Sequence, residues 1–429
     1  MKEDEKGMSV LGCGLVWFGA AVSIAEIEAG AALAPAAVGG RGWSVLGAIL
    51  LGHLFGGAML FLAMLLGART RRGGMDCAKT PFGRAGGGFF AALNLLQLVG
   101  WTAVMVAQGA GAAKELLGGL VPFGAACAGI GILVAVWIYV GLRGVGRINS
   151  VAMALLFALT VVLFASLLST GSKGTGRPTE PMPGPVFWFA FEMSVAMPLS
   201  WLPLAADYTR DARRPVAACA AAALVYSLVS CWMYGIGMVA AAFGSIPDAF
   251  RHLGAAGLGA AALLVIVFST VTTTFLDAYS AGESARSLWS RVPAKPFGVA
   301  VCALGTLLAA RGAMDRYLDF LYLIASVFAP MAAVLLVGGF AALRRGADAV
   351  GRGAAAWNFA AWAAGFAVYH ACLGADSPLA AAFPSAAGAL GGWSSPAGAT
   401  LPSMAVSALL ALPAALAAGR RPSRSSISA

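Results

Sequence analysis

Three glutamates lie inside long apolar segments of this 429-residue chain, where a charge is costly. Glu26 and Glu28 lie in the apolar run 11–35, and Glu192 lies in the run 186–206, shortly before a Met-Pro pair. A charge at the centre of a bilayer costs roughly 2.5 to 3.5 kcal/mol, so such side chains normally face a cavity or a partner. The two runs therefore predict a solute site halfway across a membrane.

A later apolar run is rich in oxygen ligands, namely Ser269, Thr270, Thr272, Thr273, Thr274 and Asp277. Hydroxyl and carbonyl oxygens are the ligands that hard cations such as sodium prefer. Unwinding of the first apolar run near Gly19 to Val22 would free backbone carbonyls. These carbonyls and the hydroxyls of Ser269 and Thr270 can enclose one ion. The alternative is that the hydroxyls bond to carbonyls of their own or a neighbouring helix.

Aromatic and amide side chains gather in a third apolar run, around Gln97, Trp101, Thr102 and Gln108. A flat heteroaromatic solute needs a stacking face and a few hydrogen-bond donors and acceptors, which Trp101 with Thr102 or Gln108 can supply. Tryptophan at the end of a helix is more often an interfacial anchor, but Trp101 lies in the middle of its run. We therefore expect these residues to line a pocket.

The composition identifies the kind of molecule that must position these groups. Hydrophobic residues make up 60% of the chain and charged residues only 11%, which is typical of a polytopic helical membrane protein. The formal net charge is +10, but the basic residues lie in short loops between apolar runs, where membrane orientation explains them. A nucleic-acid partner is therefore not expected, and no protein partner is predicted.

A membrane helix needs about 20 apolar residues, and this criterion divides the chain into twelve predicted spans. They are 11–36, 43–67, 87–112, 121–141, 148–170, 185–206, 215–242, 257–280, 296–312, 317–342, 354–373 and 400–419. The side of the membrane that holds both termini then carries 21 of the 28 lysines and arginines. The positive-inside rule therefore predicts cytoplasmic termini and a multi-pass protein of the cytoplasmic (inner) membrane.

The first and sixth spans contain helix-breaking residues at corresponding places. Ser23 and Pro35 follow Gly19 in the first span, and Pro198 lies in the sixth, where it lacks a backbone donor and crowds the preceding turn. Interruptions at spans one and six predict an inverted repeat of five plus five helices, with the site between the broken helices. The alternative is that the prolines only kink their helices.

This repeat defines the expected domain organisation of the chain. It comprises an N-terminal cytoplasmic tail at 1–10, a first repeat at 11–170, a second repeat at 185–342, two additional helices at 354–419 and a cytoplasmic tail at 420–429.

An enzyme is not expected, because the three histidines, His53, His252 and His370, are far apart and none has HExxH spacing. The seven cysteines form no CxxC pair, so we predict neither a disulfide framework nor a cofactor. A channel is less favoured because no segment resembles a repeated selectivity filter.

The chain resembles the nucleobase:cation symporters of the cytosine, hydantoin and allantoin permease type, most closely the hydroxymethylpyrimidine (thiamine precursor) permeases. The likeness covers the first ten spans. The motifs that carry it are Trp17-Phe18-Gly19, Gly100-Trp101, Pro198-Leu199-Ser200-Trp201, Asp207-Tyr208-Thr209-Arg210 and Ser269-Thr270-x-Thr272.

This resemblance implies a LeuT-type core of ten helices with two extra helices, and alternating access driven by a sodium or proton gradient. It also implies a sodium site at the backbone of Gly19 and Val22 and the hydroxyls of Ser269 and Thr270. The stacking tryptophan of this family corresponds to Trp101.

Departures from the family pattern leave the substrate open. Hydantoin-type relatives have a glutamine where this chain has Ser23, and Gly-Trp where it has Met197-Pro198. We hypothesise that Glu192 or Glu26, with Asp277, receives the amine edge of a 4-aminopyrimidine, because a carboxylate makes charge-assisted hydrogen bonds to such an edge. On this hypothesis Glu192→Gln lowers aminopyrimidine uptake more than protein level. The alternative is a purely structural carboxylate.

The sequence thus predicts a secondary transporter for a pyrimidine-type nucleobase or a thiamine precursor. The alternative is an amino-acid or amine symporter of the same fold, and proton coupling through Glu26 or Glu28 also stays open. The expected substrate-binding residues are Ser23, Glu26, Trp101, Thr102, Gln108, Glu192, Pro198, Trp201, Thr273 and Asp277.

Overall fold

The structure is a computed structural model that describes residues 7–140, 146–170, 186–241, 254–312, 317–382, 395 and 397–417. Within these residues the regular secondary structure is helical. The predicted cytoplasmic tail at 420–429 and residues 1–6 of the N-terminal tail lie outside the described residues.

Fifteen α-helices are described, numbered here in chain order. They are α1 (Val10–Ala21), α2 (Ile24–Ala32), α3 (Ala34–Ala37), α4 (Gly42–Thr70), α5 (Gly74–Leu116), α6 (Phe123–Val140), α7 (Gly146–Thr170), α8 (Val186–Trp201), α9 (Pro215–Ala240), α10 (Gly259–Leu288), α11 (Ala294–Ala310), α12 (Tyr317–Arg344), α13 (Arg352–Leu373), α14 (Pro378–Ala382) and α15 (Thr400–Ala417).

A helix lies at each of the twelve predicted spans, with α1 to α3 together occupying the first. Six of the described helices are long and apolar enough to cross a membrane, and a seventh span results if α1 and α2 count as one. α6, α8 and α11 are shorter apolar helices. The total of twelve spans stays a prediction.

The first span is broken at Val22 and Ser23, where the axes of α1 and α2 meet at 54°. Ser23 has extended backbone angles (φ −142°, ψ 156°), and its hydroxyl accepts a hydrogen bond of 3.2 Å from the amide of Glu26. Serine is among the best residues at this N-terminal capping position, because its side chain replaces a missing backbone acceptor. We predicted unwinding near Gly19 to Val22, but α1 stays helical through Ala21. The break therefore lies at Val22 and at Ser23, which caps α2.

The sixth span breaks later than predicted. We expected the interruption at Pro198, but α8 continues through this residue to Trp201. The chain then turns at Leu202–Leu204 and forms a 3-10 helix at Ala205–Tyr208. The proline ring packs against Gly56 of α4, where any side chain would collide with it.

In an inverted repeat, each contact between two helices of the first half has an equivalent contact in the second half, and the structure shows such pairs of contacts. α1 packs on α9 as α8 packs on α4, and α5 packs on α11 as α10 packs on α6. α12 packs on α5 as α7 packs on α10, and α5 and α10 pack on each other. We call α1, α2, α4, α8 and α9 the bundle, and α5, α6, α10 and α11 the scaffold. α13 and α15 pack on α12 and on each other, outside the repeat.

The second half of the broken span depends on a glycine contact with α9. A Cβ at Gly237 would collide with the carbonyl oxygen of Ile27, and one at Gly30 would collide with the backbone of Tyr234. The two helices therefore touch backbone to backbone, which fixes the position of α2 relative to the bundle.

We expect Gly237→Ala to destabilise the protein by about 1–3 kcal/mol, because the added methyl group overpacks the contact with Ile27. Gly235→Ala is the matched control, since no atom lies within 4 Å of a Cβ at that position. The measurement is the thermal unfolding midpoint of the purified variants. Equal midpoints for the two variants would contradict the close packing of α2 on α9.

Candidate functional site

A small cavity lies between the two helix breaks, at the junction of bundle and scaffold. Its walls come from α2, α5, α8 and α10 and from the residue that caps α2. The lining residues are Ser23, Glu26, Trp101, Met105, Met197, Ser200, Trp201 and Asp277. The centre of a water molecule can occupy a volume of ≈ 10 Å³ in this cavity. The cavity therefore has room for roughly one water molecule. A larger solute fits only if the walls separate.

Asp277 is the cavity group whose hydrogen bonding is incomplete. Its side chain is 2% exposed, and its Oδ2 has no hydrogen-bond partner among the described residues. A buried polar atom without a partner carries a desolvation cost of roughly 1–3 kcal/mol. The carboxyl can recover this cost by accepting a hydrogen bond from a solute in the cavity.

Glu26, in contrast, is fully engaged by protein groups. Its Oε1 accepts a hydrogen bond of 2.8 Å from the Tyr226 hydroxyl, and its Oε2 lies 2.6 Å from Ser230 Oγ. Both partners belong to α9. The residue also lies in the first turn of α2, where the helix dipole favours negative charge.

Aromatic rings form the remaining walls of the cavity. Trp101 packs edge to face against Phe320 of α12, with ring centroids 5.5 Å apart. Trp201 packs edge to face against Trp17 of α1 at 5.8 Å. The cavity therefore combines two large π-faces with a carboxyl, which suits a flat solute that carries hydrogen-bond donors.

The break in the first span faces the hydroxyl-rich side of α10. Thr273 Oγ1 donates a hydrogen bond of 3.2 Å to the carbonyl of Gly19, which the end of α1 leaves without a helical partner. Val22 follows Gly19 by three residues, and Thr270 precedes Thr273 by three. The contact between Thr273 and Gly19 brings the break in the first span to α10, and the approach of Val22 to Thr270 stays a prediction.

The two hydroxyls of the expected cation site, those of Ser269 and Thr270, have neighbours on the scaffold. Ser269 Oγ donates to the carbonyl of Ile266 at 3.1 Å, as the alternative for this hydroxyl anticipated. Thr270 lies against Gly109 of α5, where a Cβ would come within 2.6 Å of its Oγ1. In the described part of the chain there is no cluster of three or more His, Cys, Asp or Glu that could hold a metal.

Four expected substrate residues do not line the cavity. Thr273 contacts the carbonyl of Gly19 instead. Thr102 donates to the carbonyl of Leu98 and packs against Gly305 of α11. Gln108 lies two turns beyond Trp101 and donates to Glu28. Pro198 faces α4, as described above. The helical period accounts for Thr102 and Pro198, since only one face of α5 and one of α8 line the cavity. Gln108 lies on the same face of α5 as Trp101 but about 10 Å further along the helix, beyond the cavity.

Glu192 also lies outside the cavity, contrary to expectation. Its carboxyl accepts hydrogen bonds from the amides of Ala399 and Thr400 and from the hydroxyl of Thr400. These groups form the N-terminus of α15, where free amides and the helix dipole favour an anion. Glu192 therefore fastens α15 to α8, which corresponds to the structural alternative.

Met105, Met197 and Ser200 line the cavity but were not among the expected residues. Met105 follows Trp101 by four residues, and Met197 precedes Trp201 by four, so each lies one turn away on the same helix face. Both methionines could therefore have been found in the sequence by a step of one helical turn from each tryptophan.

Beyond the cavity, polar contacts tie the broken end of α8 to the scaffold. Asp207 accepts hydrogen bonds from the amide of Gly74 and from Ser280 Oγ, both at 2.9 Å. Arg210 forms an ion pair of 2.8 Å with Glu283 of α10. Burial raises the pKa of Asp207 to about 7, and the hydrogen bond from Gly74 and the charge of Arg210 only partly offset this rise.

We call this side of the molecule the basic face. It holds a surface cavity of ≈ 790 Å³ whose lining includes Arg71, Arg72, Lys79, Arg84, Arg210 and Arg286. These residues come from three of the loops that the sequence places on the side of the termini.

Comparisons with known proteins agree with this architecture. A family profile described as permease for cytosine/purines, uracil, thiamine, allantoin matches residues 3–388. No match was found among curated protein sequences.

Several solved transporters share the fold. MHP1, a nucleobase-cation-symport-1 family transporter, in a closed conformation with bromovinylhydantoin bound, has a TM-score of 0.72 and 18% identity, covering 96% of this chain and 92% of that chain. Its inward-facing conformation has a TM-score of 0.71 and 18% identity, covering 97% and 92%. A Na+-coupled sialic acid symporter has a TM-score of 0.66 and 12% identity, covering 95% and 88%. These likenesses confirm the predicted LeuT-type fold.

We expect Glu192→Ala to lower the free energy of unfolding by about 2–4 kcal/mol, since it leaves buried amides at the N-terminus of α15 without an acceptor. Thr400→Ala removes one of these contacts and should cost about 1 kcal/mol. The control is Ser403→Ala, one turn further along α15, because Ser403 Oγ has no hydrogen-bond partner among the described residues. Thermal unfolding in detergent measures all three, and a Glu192→Ala protein as stable as the control would contradict the role of Glu192.

Proposed function

Because the chain belongs to the family of permeases for cytosine, purines, uracil, thiamine and allantoin, we propose that it carries a pyrimidine-type base across the membrane by cation-coupled alternating access. The substrates that we propose are cytosine and hydroxymethylpyrimidine, a thiamine precursor. The protein is a transporter and not an enzyme.

The observation that carries the substrate class is the Asp277 carboxyl in an aromatic cavity. A 4-aminopyrimidine has an exocyclic amine and flat π-faces. The amine donates to Asp277, and the ring lies between Trp101 and Trp201. A hydrogen bond to a charged acceptor contributes roughly 1.5–3 kcal/mol, more than a neutral one. The sequence left open which carboxyl receives the amine. Because α9 already engages Glu26, we assign this role to Asp277.

The contacts around the cavity support alternating access. The cavity walls belong partly to the bundle and partly to the scaffold, so a rocking movement of one against the other opens it. On the basic face, the contacts of Asp207 and Arg210 join α8 to the scaffold and must break for opening on that side. The basic residues of this face support a cytoplasmic orientation and a location in the cytoplasmic membrane.

The coupling cation in this proposal is sodium or a proton. For sodium, the ligands are the backbone carbonyls of Gly19 and Val22 and the hydroxyls of Ser269 and Thr270. The packing of α1 on α10 supports this set, because it brings the break in the first span to the helix that carries both hydroxyls. Thr273 already contacts the Gly19 carbonyl and would share the site.

We expect Asp277→Asn to reduce uptake of labelled cytosine by about 10- to 100-fold, because the loss of a charged acceptor costs about 1.5–3 kcal/mol. Uptake is measured into vesicles that contain the purified protein, with equal protein in each preparation. Thr274→Ala is the control, since it removes a buried hydroxyl of α10 that does not line the cavity.

A competition series identifies the substrate class in the same vesicles. Hydroxymethylpyrimidine and other pyrimidines should compete with labelled cytosine, whereas amino acids should not. Thermal shifts of the purified protein with the same compounds provide an independent readout. Stabilisation by amino acids alone would favour the amino-acid symporter and contradict this proposal.

If sodium is the coupling ion, Thr270→Ala should raise the sodium concentration for half-maximal uptake about tenfold, which corresponds to the loss of about 1.4 kcal/mol of ligand energy. The measurement is made at fixed pH and membrane potential. Thr272→Ala is the control, because its hydroxyl bonds to the carbonyl of Phe268 in its own helix. Uptake that persists without sodium in the wild type would exclude this site as the coupling site.

A further inference from the structure

A chain of three polar side chains leads from the cavity into the bundle. Glu26 Oε2 lies 2.6 Å from Ser230 Oγ, and Ser230 Oγ lies 2.6 Å from His53 Nε2. The chain ends at His53 Nδ1, which lies 2.9 Å from the carbonyl oxygen of Ile49. The three side chains come from α2, α9 and α4, and none is more than 1% exposed. Of the three, only Glu26 lines the cavity.

The geometry of these three hydrogen-bonded side chains sets the number of hydrogens that they share. A carbonyl oxygen only accepts, so His53 Nδ1 must carry a hydrogen. Ser230 has one hydroxyl hydrogen, which serves either Glu26 or His53. If Glu26 is ionised and His53 Nε2 is bare, one of the two 2.6 Å contacts joins two acceptors with no hydrogen between them. Both contacts are hydrogen bonds only when the chain holds one more proton.

That proton has two positions, which differ by a concerted shift. In the first, Glu26 Oε2 carries it and donates to Ser230, whose hydroxyl donates to His53 Nε2. In the second, the Oε2–H bond has broken, Ser230 has gained that proton and passed its own to Nε2, and Glu26 and His53 are oppositely charged. The proton count is the same in both. The neutral arrangement is favoured because separated charges are costly inside a membrane protein.

We propose that Glu26, Ser230 and His53 form a proton-binding site that takes up one proton from the cavity and carries it with the substrate. The existence of the site stands on the hydrogen-bond geometry alone. Its role in coupling rests on the proposed function. Proton exchange occurs through Glu26, because Ser230 and His53 are buried away from the cavity.

The groups around the chain fit this role. Tyr226 donates to Glu26 Oε1, which leaves Oε2 as the oxygen that binds the proton. Cys231 of α9 is the other titratable group near Glu26 on that helix. Asp277 faces Glu26 from the scaffold side of the cavity. Tyr234 covers His53, with ring centroids 4.9 Å apart at 86°, and its hydroxyl donates to the backbone of Met193.

The position of Asp277 suggests why substrate and proton travel together. Two carboxyls on one small cavity disfavour each other's ionisation. With Glu26 protonated, Asp277 can stay ionised and accept the amine of a pyrimidine. When the cavity opens to the other side and the base leaves, solvent reaches Glu26 and the proton can leave too.

Infrared spectroscopy of the purified protein tests the site without any substrate. We expect a C=O stretching band of a protonated carboxyl that Glu26→Gln removes. Ser230→Ala should shift this band, because Oε2 loses its acceptor. Ser227→Ala is the matched control: it lies one turn away on α9 and donates only to the backbone carbonyl of His53. A spectrum in which Glu26→Gln removes no such band, or in which Ser230→Ala leaves the band unmoved, overturns the proposal.

Vesicles with an internal pH dye test the coupling. With sodium absent and the membrane potential clamped, labelled cytosine should enter the wild-type vesicles together with acidification. Ser230→Ala should weaken proton binding about tenfold, because protonated Glu26 loses its acceptor, so half-maximal uptake should need a pH about one unit lower. Ser227→Ala should keep the wild-type pH dependence.

The two measurements separate failure of the inference from failure of the proposed function. Cytosine uptake into wild-type vesicles without acidification overturns proton coupling, whatever the variants do. Absence of cytosine uptake, with the infrared band responding as expected, counts against cytosine as substrate and supports the proton-binding site.

Discussion

The structure depends on one constraint: backbone groups freed by a helix break inside a membrane must find partners within the protein. At the first break, Ser23 receives the amide of Glu26 and Thr273 donates to the carbonyl of Gly19. Side chains therefore have to approach the break from its own turn and from the opposite repeat. This approach brings α10 to the end of α1 and leaves the cavity where the helices cannot close on each other.

The same constraint distinguishes the carboxyls of the membrane interior. Glu192 is matched by the amides of α15, Glu26 is matched by two hydroxyls of α9, and Asp277 Oδ2 has no hydrogen-bond partner among the described residues. A carboxyl with hydrogen-bond partners in the protein stabilises the fold or binds a proton, whereas a carboxyl oxygen that lacks a partner is available to a ligand. The three carboxyl side chains look alike in the sequence, and their surroundings give them separate functions.

Much of the fold follows from the sequence, because an apolar run of about 20 residues can only be a helix in lipid. Ser23 could also be assigned, since a capping residue acts on its own turn. Glu192 could not, because its partners lie 207 and 208 residues away in α15. Pro198 misled because a proline is tolerated inside a membrane helix when its surroundings satisfy the freed backbone groups, and α8 continues through it to Trp201. Thr102 shows that residue type does not reveal which helix face points inward, and Gln108 shows that it does not reveal how far along a helix the cavity extends.

The attachment of α15 has a mechanical consequence. This helix presents Leu409 and Leu416 outward, with 65% and 70% of their surfaces exposed, while its first turn is fastened to Glu192 on α8. If α8 tilts, the first turn of α15 must move with it, because otherwise the buried hydrogen bonds to Glu192 would break. A movement of α8 beside the cavity is thereby carried to a helix with an exposed apolar surface.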